Sequence, residues 1–165
     1  MLPQIRKILY ASDLGENAPK VFAHCVALAQ RHGAAISFVH AMEPLGPTGQ
    51  SLVRNMVPQE LLEQLETDGL ERVRAQIRER IDAFCRAELG PDVHAPDIVS
   101  EVRIAEGHPA EVILEAARSI EADLIILGTH THSRLHRALI GSVAQKVIVH
   151  ADRPVLLVPI PADVA

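Results

Sequence analysis

Leu124-Ile125-Ile126-Leu127-Gly128-Thr129-His130-Thr131-His132-Ser133-Arg134-Leu135-His136-Arg137-Ala138-Leu139-Ile140-Gly141-Ser142 is the stretch that decides the fold. A short apolar run of β-favouring residues reads as a buried strand. It stops at Gly128, and Gly141-Ser142-Val143-Ala144-Gln145 reads as the start of a helix. Strand, glycine-bounded polar loop and fresh helix N-terminus are the components of an anion site. The first amides of a helix lack internal partners and carry partial positive charge. A phosphate placed there gains hydrogen bonds and field together.

Outward from this stretch, strand and helix signals alternate. Ile5 to Ala11 reads as the first strand and ends in the polar turn Ser12-Asp13-Leu14-Gly15. A helix follows, with Asn17 as its expected cap, Pro19 in its first turn and Gly33 as its stop. Ala35 to Ala41 is the second strand. Residues 43–59 carry Pro44, Gly46, Pro47, Gly49 and Pro58, and the expectation there is a flexible, irregular flap. Glu60 to Leu89 reads as one long amphipathic helix, with Leu62, Leu65, Leu70, Val73, Ile77, Ile81, Phe84 and Cys85 on its apolar face. Gly69 is a candidate bend.

Ile98 to Ala105 is the third strand and Gly107-His108-Pro109 opens the next helix. Asp123 to Leu127, the helix from Ser142 to about His150, and Pro154 to Pro159 complete the series. Strict alternation predicts an α/β fold, a doubly wound five-stranded parallel sheet with helices on both faces and right-handed crossovers. Residues 1–165 read as a single domain, without internal repeats.

Composition narrows the function. Hydrophobic residues make up 48 % of the chain, which is enough for a folded core. Aromatics are one Tyr, three Phe and no Trp, so that core must be mostly aliphatic. The formal net charge of −5 removes the long-range attraction that nucleic-acid binders use, and no basic stripe appears. No apolar run is long enough to span a bilayer, and the N-terminus lacks the apolar stretch of a signal peptide. A cytoplasmic protein is expected. Cys25 and Cys85 form no CxxC pair and read as buried thiols.

In a doubly wound sheet, ligands bind beyond the carboxyl ends of the strands, where the strand order reverses. Asp13 follows the first strand and Gly128 the fourth, so both are candidates for one crevice. Asp13 is equally explained as a turn residue. Ser142-x-x-Gln145 also fits a capping box, which would account for Ser142 without any ligand. His130, His132 and His136 cluster in the loop, but no cysteine or carboxylate accompanies them, so no metal site is expected. Arg134 and Arg137 are candidate anion partners or simply solvated. No Ser-His-Asp elbow, CxxC or paired helical carboxylates appear, and no catalytic residue is assigned.

These residues resemble the universal stress protein family. Its nucleotide-binding members carry Gly-x-x-Gly-x9-Gly-(Ser/Thr). Here Gly128 opens the pattern, Thr131 stands at the second glycine, and Gly141-Ser142 closes it. Ile8-Leu-Tyr-Ala-Ser-Asp13, Gly107-His-Pro-Ala-Glu, Asp123-Leu-Ile-Ile-Leu-Gly-Thr-His and Pro154-Val-Leu-Leu-Val-Pro match as well, so the likeness spans nearly the whole chain. It implies strand order 3-2-1-4-5, as in adenine nucleotide α-hydrolase-like folds, a homodimer, and ATP or a related adenine nucleotide as ligand; Mg²⁺ is the candidate ion to accompany ATP.

By that resemblance Ala11, Ser12 and Asp13 lie near ribose and base, Val39 contacts adenine, and Gly128, Gly141, Ser142 and Val143 contact phosphates. Thr131 departs from the pattern. It restricts the backbone but brings a hydroxyl that can donate to an oxygen. Val155 to Val158 would be an edge strand, apolar on both faces and suited to pairing with a second copy. The expected role is a sensor or regulator that works by binding, with slow ATP hydrolysis at most. The alternatives are a nucleotide-free dimerising module and an enzyme with its substrate under the 43–59 flap.

Overall fold

The computed structural model describes residues 1–129 and 140–160 of the chain. The elements run β1 (Lys7–Ala11), α1 (Ala18–His32), β2 (Ala35–Met42), α2 (Pro47–Met56), α3 (Gln59–Glu88), α4 (Ala95–Ile98), β3 (Val99–Glu106), α5 (Pro109–Ser119), β4 (Leu124–Gly128), α6 (Ser142–His150) and β5 (Val155–Val158). The five strands form one sheet in the order β3-β2-β1-β4-β5. Every neighbouring pair is parallel.

The central strands β1 and β4 are buried on both faces because they are apolar at successive positions, and a strand sends successive side chains to opposite sides, whereas the edge strand β3 carries Ser100, Glu101 and Arg103 and is only partly buried. Ile8, Tyr10, Ile36, Phe38, Leu124 and Ile126 pack in one cluster with Val21, Phe22 and Cys25 of α1 and Ile77, Ile81 and Cys85 of α3. Leu9, Ala11, Val39, Ile125 and Leu127 pack in the other with Ala110, Ile113, Ala116 and Ala117 of α5 and Ala144 and Val147 of α6. Among the described residues no polar or charged residue is buried.

Local chemistry sets the element ends. Gly33 closes α1 in the left-handed conformation at φ 63°, and its N–H donates to Ala29 O. Asn17 does sit at the N-cap of α1, but its side chain makes no capping bond. Its Oδ1 instead accepts from Lys20 Nζ at 3.0 Å.

Two features differ from the expectation. The 43–59 stretch carries a ten-residue helix, α2, started by Pro47 in its first turn. The long helix α3 runs through Gly69 unbroken, but only its C-terminal part is in the core. Ile77, Ile81 and Cys85 are buried, whereas Leu65 and Leu70 are exposed. Thirty residues of α-helix span about 45 Å, well beyond the sheet it covers, so the apolar stripe outruns its partner.

At the amino edge, the Asp123 carboxylate accepts the N–H groups of Arg6 and Lys7 at 2.8 and 2.9 Å. These two bonds join the starts of β1 and β4. They also hold the Asp123 carboxyl below its ordinary range. Arg153 acts at the same end. Its Nη1 donates to Ala117 O and Ala122 O at 2.7 and 3.0 Å, closing the C-terminus of α5 with a cation.

Candidate functional site

The carboxyl ends of β1 and β4 are neighbours, with Tyr10 opposite Ile126 in register. The strand order reverses at this pair, since β2 follows β1 on one side and β5 follows β4 on the other. Asp13 and Gly128 therefore leave the same edge of the sheet, at the position where such folds hold ligands.

Two backbone clasps shape this edge. Ser12 N–H donates to Val39 O at 3.1 Å, tying the turn after β1 to β2. Thr129 N–H donates to Val158 O at 3.1 Å, and Gly141 N–H donates to Thr129 O at 3.3 Å. The second set brings the start of α6 back against the end of β4, although the intervening loop separates them by many residues. Thr129 Oγ1 also accepts from Ile160 N–H at 3.1 Å, which adds the segment after β5 to the same edge.

The turn after β1 is held in a particular shape. Ser12 Oγ accepts from Leu14 N–H at 3.1 Å, and Asp13 Oδ1 accepts from Gly15 N–H at 2.8 Å. Leu14 sits at φ 60°, a costly conformation for a branched side chain. Two residues outside any motif fix the turn from other elements. His40 Nδ1 donates to Ser12 O at 2.9 Å, which sets its tautomer, because a carbonyl can only accept. Arg80 of α3 donates to Leu14 O. Sequence spacing gave no sign of either; both follow from the parallel register and the approach of α3.

The candidate residues fall into different environments. Asp13 is exposed and Ser12 partly buried. Ala11 and Val39 are 8 % and 1 % exposed, and their side chains belong to the α5/α6 cluster. Gly128 has a packing role of its own. A Cβ there would lie 2.6 Å from Ile160 Cδ1 and 3.1 Å from Val21 Cγ2, so α1 approaches β4 only because the side chain is absent.

Gly141, not Ser142, occupies the N-cap of α6, and no side-chain capping bond is made. The capping-box expectation for Ser142 and Gln145 is therefore overturned. Ser142 is already the first helical residue and is exposed. Like any helix start, α6 leaves the N–H groups of Ser142, Val143 and Ala144 without helical acceptors. Lys146, one turn on, donates to His108 Nε2 at 3.2 Å, so α5 and α6 begin side by side at this edge. Thr131, His130, His132, His136, Arg134 and Arg137 lie outside the described residues.

Among the described residues, no three His, Cys, Asp or Glu side chains gather as a metal site. Cys25 and Cys85 are free and fully buried. Burial pushes the Cys25 thiol up to about 12 and raises Cys85 as well, which suits packing and not nucleophilic attack. No described helix is long and apolar enough to cross a membrane.

Comparison with known proteins agrees with this architecture. The universal stress protein family matches residues 4–159. A universal stress protein from Thermus aquaticus is 36 % identical over 153 residues, covering 93 % of this chain and 98 % of the relative. The stress response protein NhaX of Bacillus subtilis is 30 % identical over 165 residues, covering 92 % and 96 %. A universal stress protein solved in complex with cAMP superposes with a TM-score of 0.60 at 19 % identity, covering 94 % of this chain and 97 % of that one. On the match across the chain, the strand order and the relatives at high coverage, this chain belongs to the universal stress protein family.

Proposed function

We propose that the protein binds an adenine nucleotide, ATP in the first instance, across the carboxyl edge between the β1 turn and the start of α6. The observation that carries this reading is the clasp from Gly141 N–H to Thr129 O, which sets the free amides of α6 beside the end of β4. Phosphates would be held by the amides of Ser142 and Val143, with Gly128, Gly141 and Thr131 shaping the loop. Ser12 and Asp13 would face the ribose and base, and Ala11 and Val39 would line the floor through their backbone. Mg²⁺ would be carried chiefly by the phosphates, since that ion keeps most of its waters. A relative solved with cAMP supports a nucleotide of this class.

The protein acts by binding and not by turnover, as a sensor or regulator in the cytoplasm. Its two free thiols suit a reducing compartment. It assembles as a homodimer through β5. β4 covers one side of β5, with Val158 O accepting from Thr129, so the backbone groups of Val155 and Leu157 point outward along the edge. Val155→Pro removes one outward donor at the first strand residue and should convert a dimer to a monomer in sedimentation; a monomeric wild type would refute the dimer.

Two observations favour a second reading, a nucleotide-free dimerising module. Gly128 is already explained by packing against Val21 and Ile160, and Asp13 by its bond to Gly15. The two readings separate when the purified protein is denatured and any released small molecule identified by mass. An adenine nucleotide at near one per chain supports the first. An empty protein that also gives no heat with millimolar ATP and Mg²⁺ supports the second.

A further inference from the structure

α2 and the first half of α3 carry apolar side chains that the core does not use. An isolated helix of ten residues is marginal in water, and most protein helices are held by packing of an apolar face. α2 places Leu52, Val53 and Met56 at helical spacing, yet none of its residues is buried. Leu52 is 57 % exposed and Met56 80 %. Val57-Pro58 then joins it directly to α3. In α3 the first side chain to pack on the core is Val73, and the first buried one is Ile77. Leu61 and Leu65, one turn apart, lie before that point and are exposed. Single exposed apolar residues are ordinary, but a cluster marks an interaction surface. Among the described residues, six of the eleven exposed large apolar side chains fall between Leu45 and Leu70.

Charge gathers on the same segment. Six acidic residues and one arginine lie between Glu43 and Glu71, which accounts for the whole formal net charge of −5. The rest of the chain balances, with fifteen residues of each sign. On α3, helical spacing puts Asp68 on one side and Glu66 on the other of a stripe through Leu61, Leu65 and Gly69. Among the described residues, the only acid of this segment in an ion pair is Glu71, 3.8 Å from Arg74. The surface is therefore apolar along its middle and acidic at its rim. An anionic membrane would be repelled, and a second copy would set the same charge against itself.

We propose that α2 and the amino-terminal half of α3 dock a basic amphipathic helix of another protein. Apolar side chains recurring along one face of the incoming helix would cover Leu61 and Leu65, with Leu52 and Met56 beside them. Its lysines and arginines would meet the acidic rim. The unburied part of α3, before Val73, is about 20 Å long, so it can engage about four turns of a partner. Met56 adds an adaptable contact, since an unbranched thioether fits partners of different shape. The proposal does not depend on nucleotide binding.

The probe is a fluorescein-labelled peptide of about fourteen leucines and lysines, with the leucines on one helical face. It is titrated with the full chain and followed by fluorescence anisotropy. Saturable binding at micromolar protein, one peptide per chain, is expected. It should weaken severalfold as salt rises from about 0.05 to about 0.3 M. The same peptide with glutamate in place of each lysine should bind about tenfold more weakly or less. Leu61→Ser combined with Leu65→Ser, and Glu66→Lys combined with Asp68→Lys, should each weaken the basic peptide about tenfold or more at an unchanged melting temperature. Ile148→Ser, at an exposed apolar position on α6, should leave the affinity unchanged.

Absence of saturable binding overturns the proposal, as does equal binding of the two peptides. So does affinity that survives both double variants or falls equally with Ile148→Ser. A wild type that sediments as a larger species than the Leu61→Ser, Leu65→Ser variant would assign the face to a second copy. Neutral phosphatidylcholine vesicles that pellet the wild type and not that variant would assign it to a membrane. Either result would overturn the basic helix as its occupant.

Discussion

On its α1/α3 face the sheet presents Tyr10 and Phe38 to Phe22 and Phe84; on its α5/α6 face it presents Leu9, Val39 and Ile125 to Ala110, Ala116 and Ala117. Rings are wide and stiff, so the first pair of layers meets at a few large contacts, with an open groove between α1 and α3 outside the buried rings. Alanines let helices approach closely, so in the second pair α5 and α6 pack tightly on the sheet. The difference assigns different duties. The alanine face fixes where α6 begins, and with it the amides at Gly141. The aromatic face leaves room.

Substitutions can break or sharpen this contrast. Ile125 is fully buried against the alanine face, where neighbours have little freedom to collapse into a void. Ile125→Ala should cost about 2–5 kcal/mol in chemical denaturation, toward the upper end of that range. A loss below the range would mean that this face is as loose as the other.

Asp123 binds the seam that both faces share. Asp123→Ala should cost about 1.5–3 kcal/mol at neutral pH, because two amides lose a charged acceptor. The sign with pH follows from the lowered folded-state carboxyl. The stabilisation is complete above the ordinary carboxylate value of 3.8 and is lost as pH falls through the depressed folded value. Wild type and variant should therefore converge only in strong acid, as followed by urea midpoints across pH.

The same change on the two helices gives the sharpest contrast. Ala117→Leu, at a site 1 % exposed on the alanine face, should cost about 1–3 kcal/mol by overpacking. Ala83→Leu, on the α1/α3 groove, should move stability by less than about 0.5 kcal/mol. Equal costs would erase the distinction between the faces.

The alternation of apolar strands with amphipathic helices was legible because parallel strands buried on both sides are written as continuous Val, Ile and Leu runs. Ile8-Leu9-Tyr10 and Leu124-Ile125-Ile126-Leu127 could hardly be anything else. Periodicity finds the apolar stripe of α3 but not how far its partner extends, so Leu65 and Leu70 read as core and stand exposed. α2 was missed because its prolines and glycines signal breaks, while Pro47 in fact starts a helix.

At the candidate site, Gly128 and Gly141 were visible as punctuation. The role of Gly128 against Val21 and Ile160 was not, since it depends on where α1 crosses β4. His40, Arg80 and Arg153 act through backbone carbonyls far away in sequence, and no local pattern encodes that. Collecting four scattered aromatics into one packed cluster likewise needs the fold.

The central claim is that the start of α6 receives the phosphates of a nucleotide. Calorimetric titration of ATP with Mg²⁺ into wild type and Gly141→Val, each with the same melting temperature, tests it most directly. Saturable heat at or below millimolar ATP is expected for the wild type and none for the variant. Equal affinity in the two proteins would contradict it.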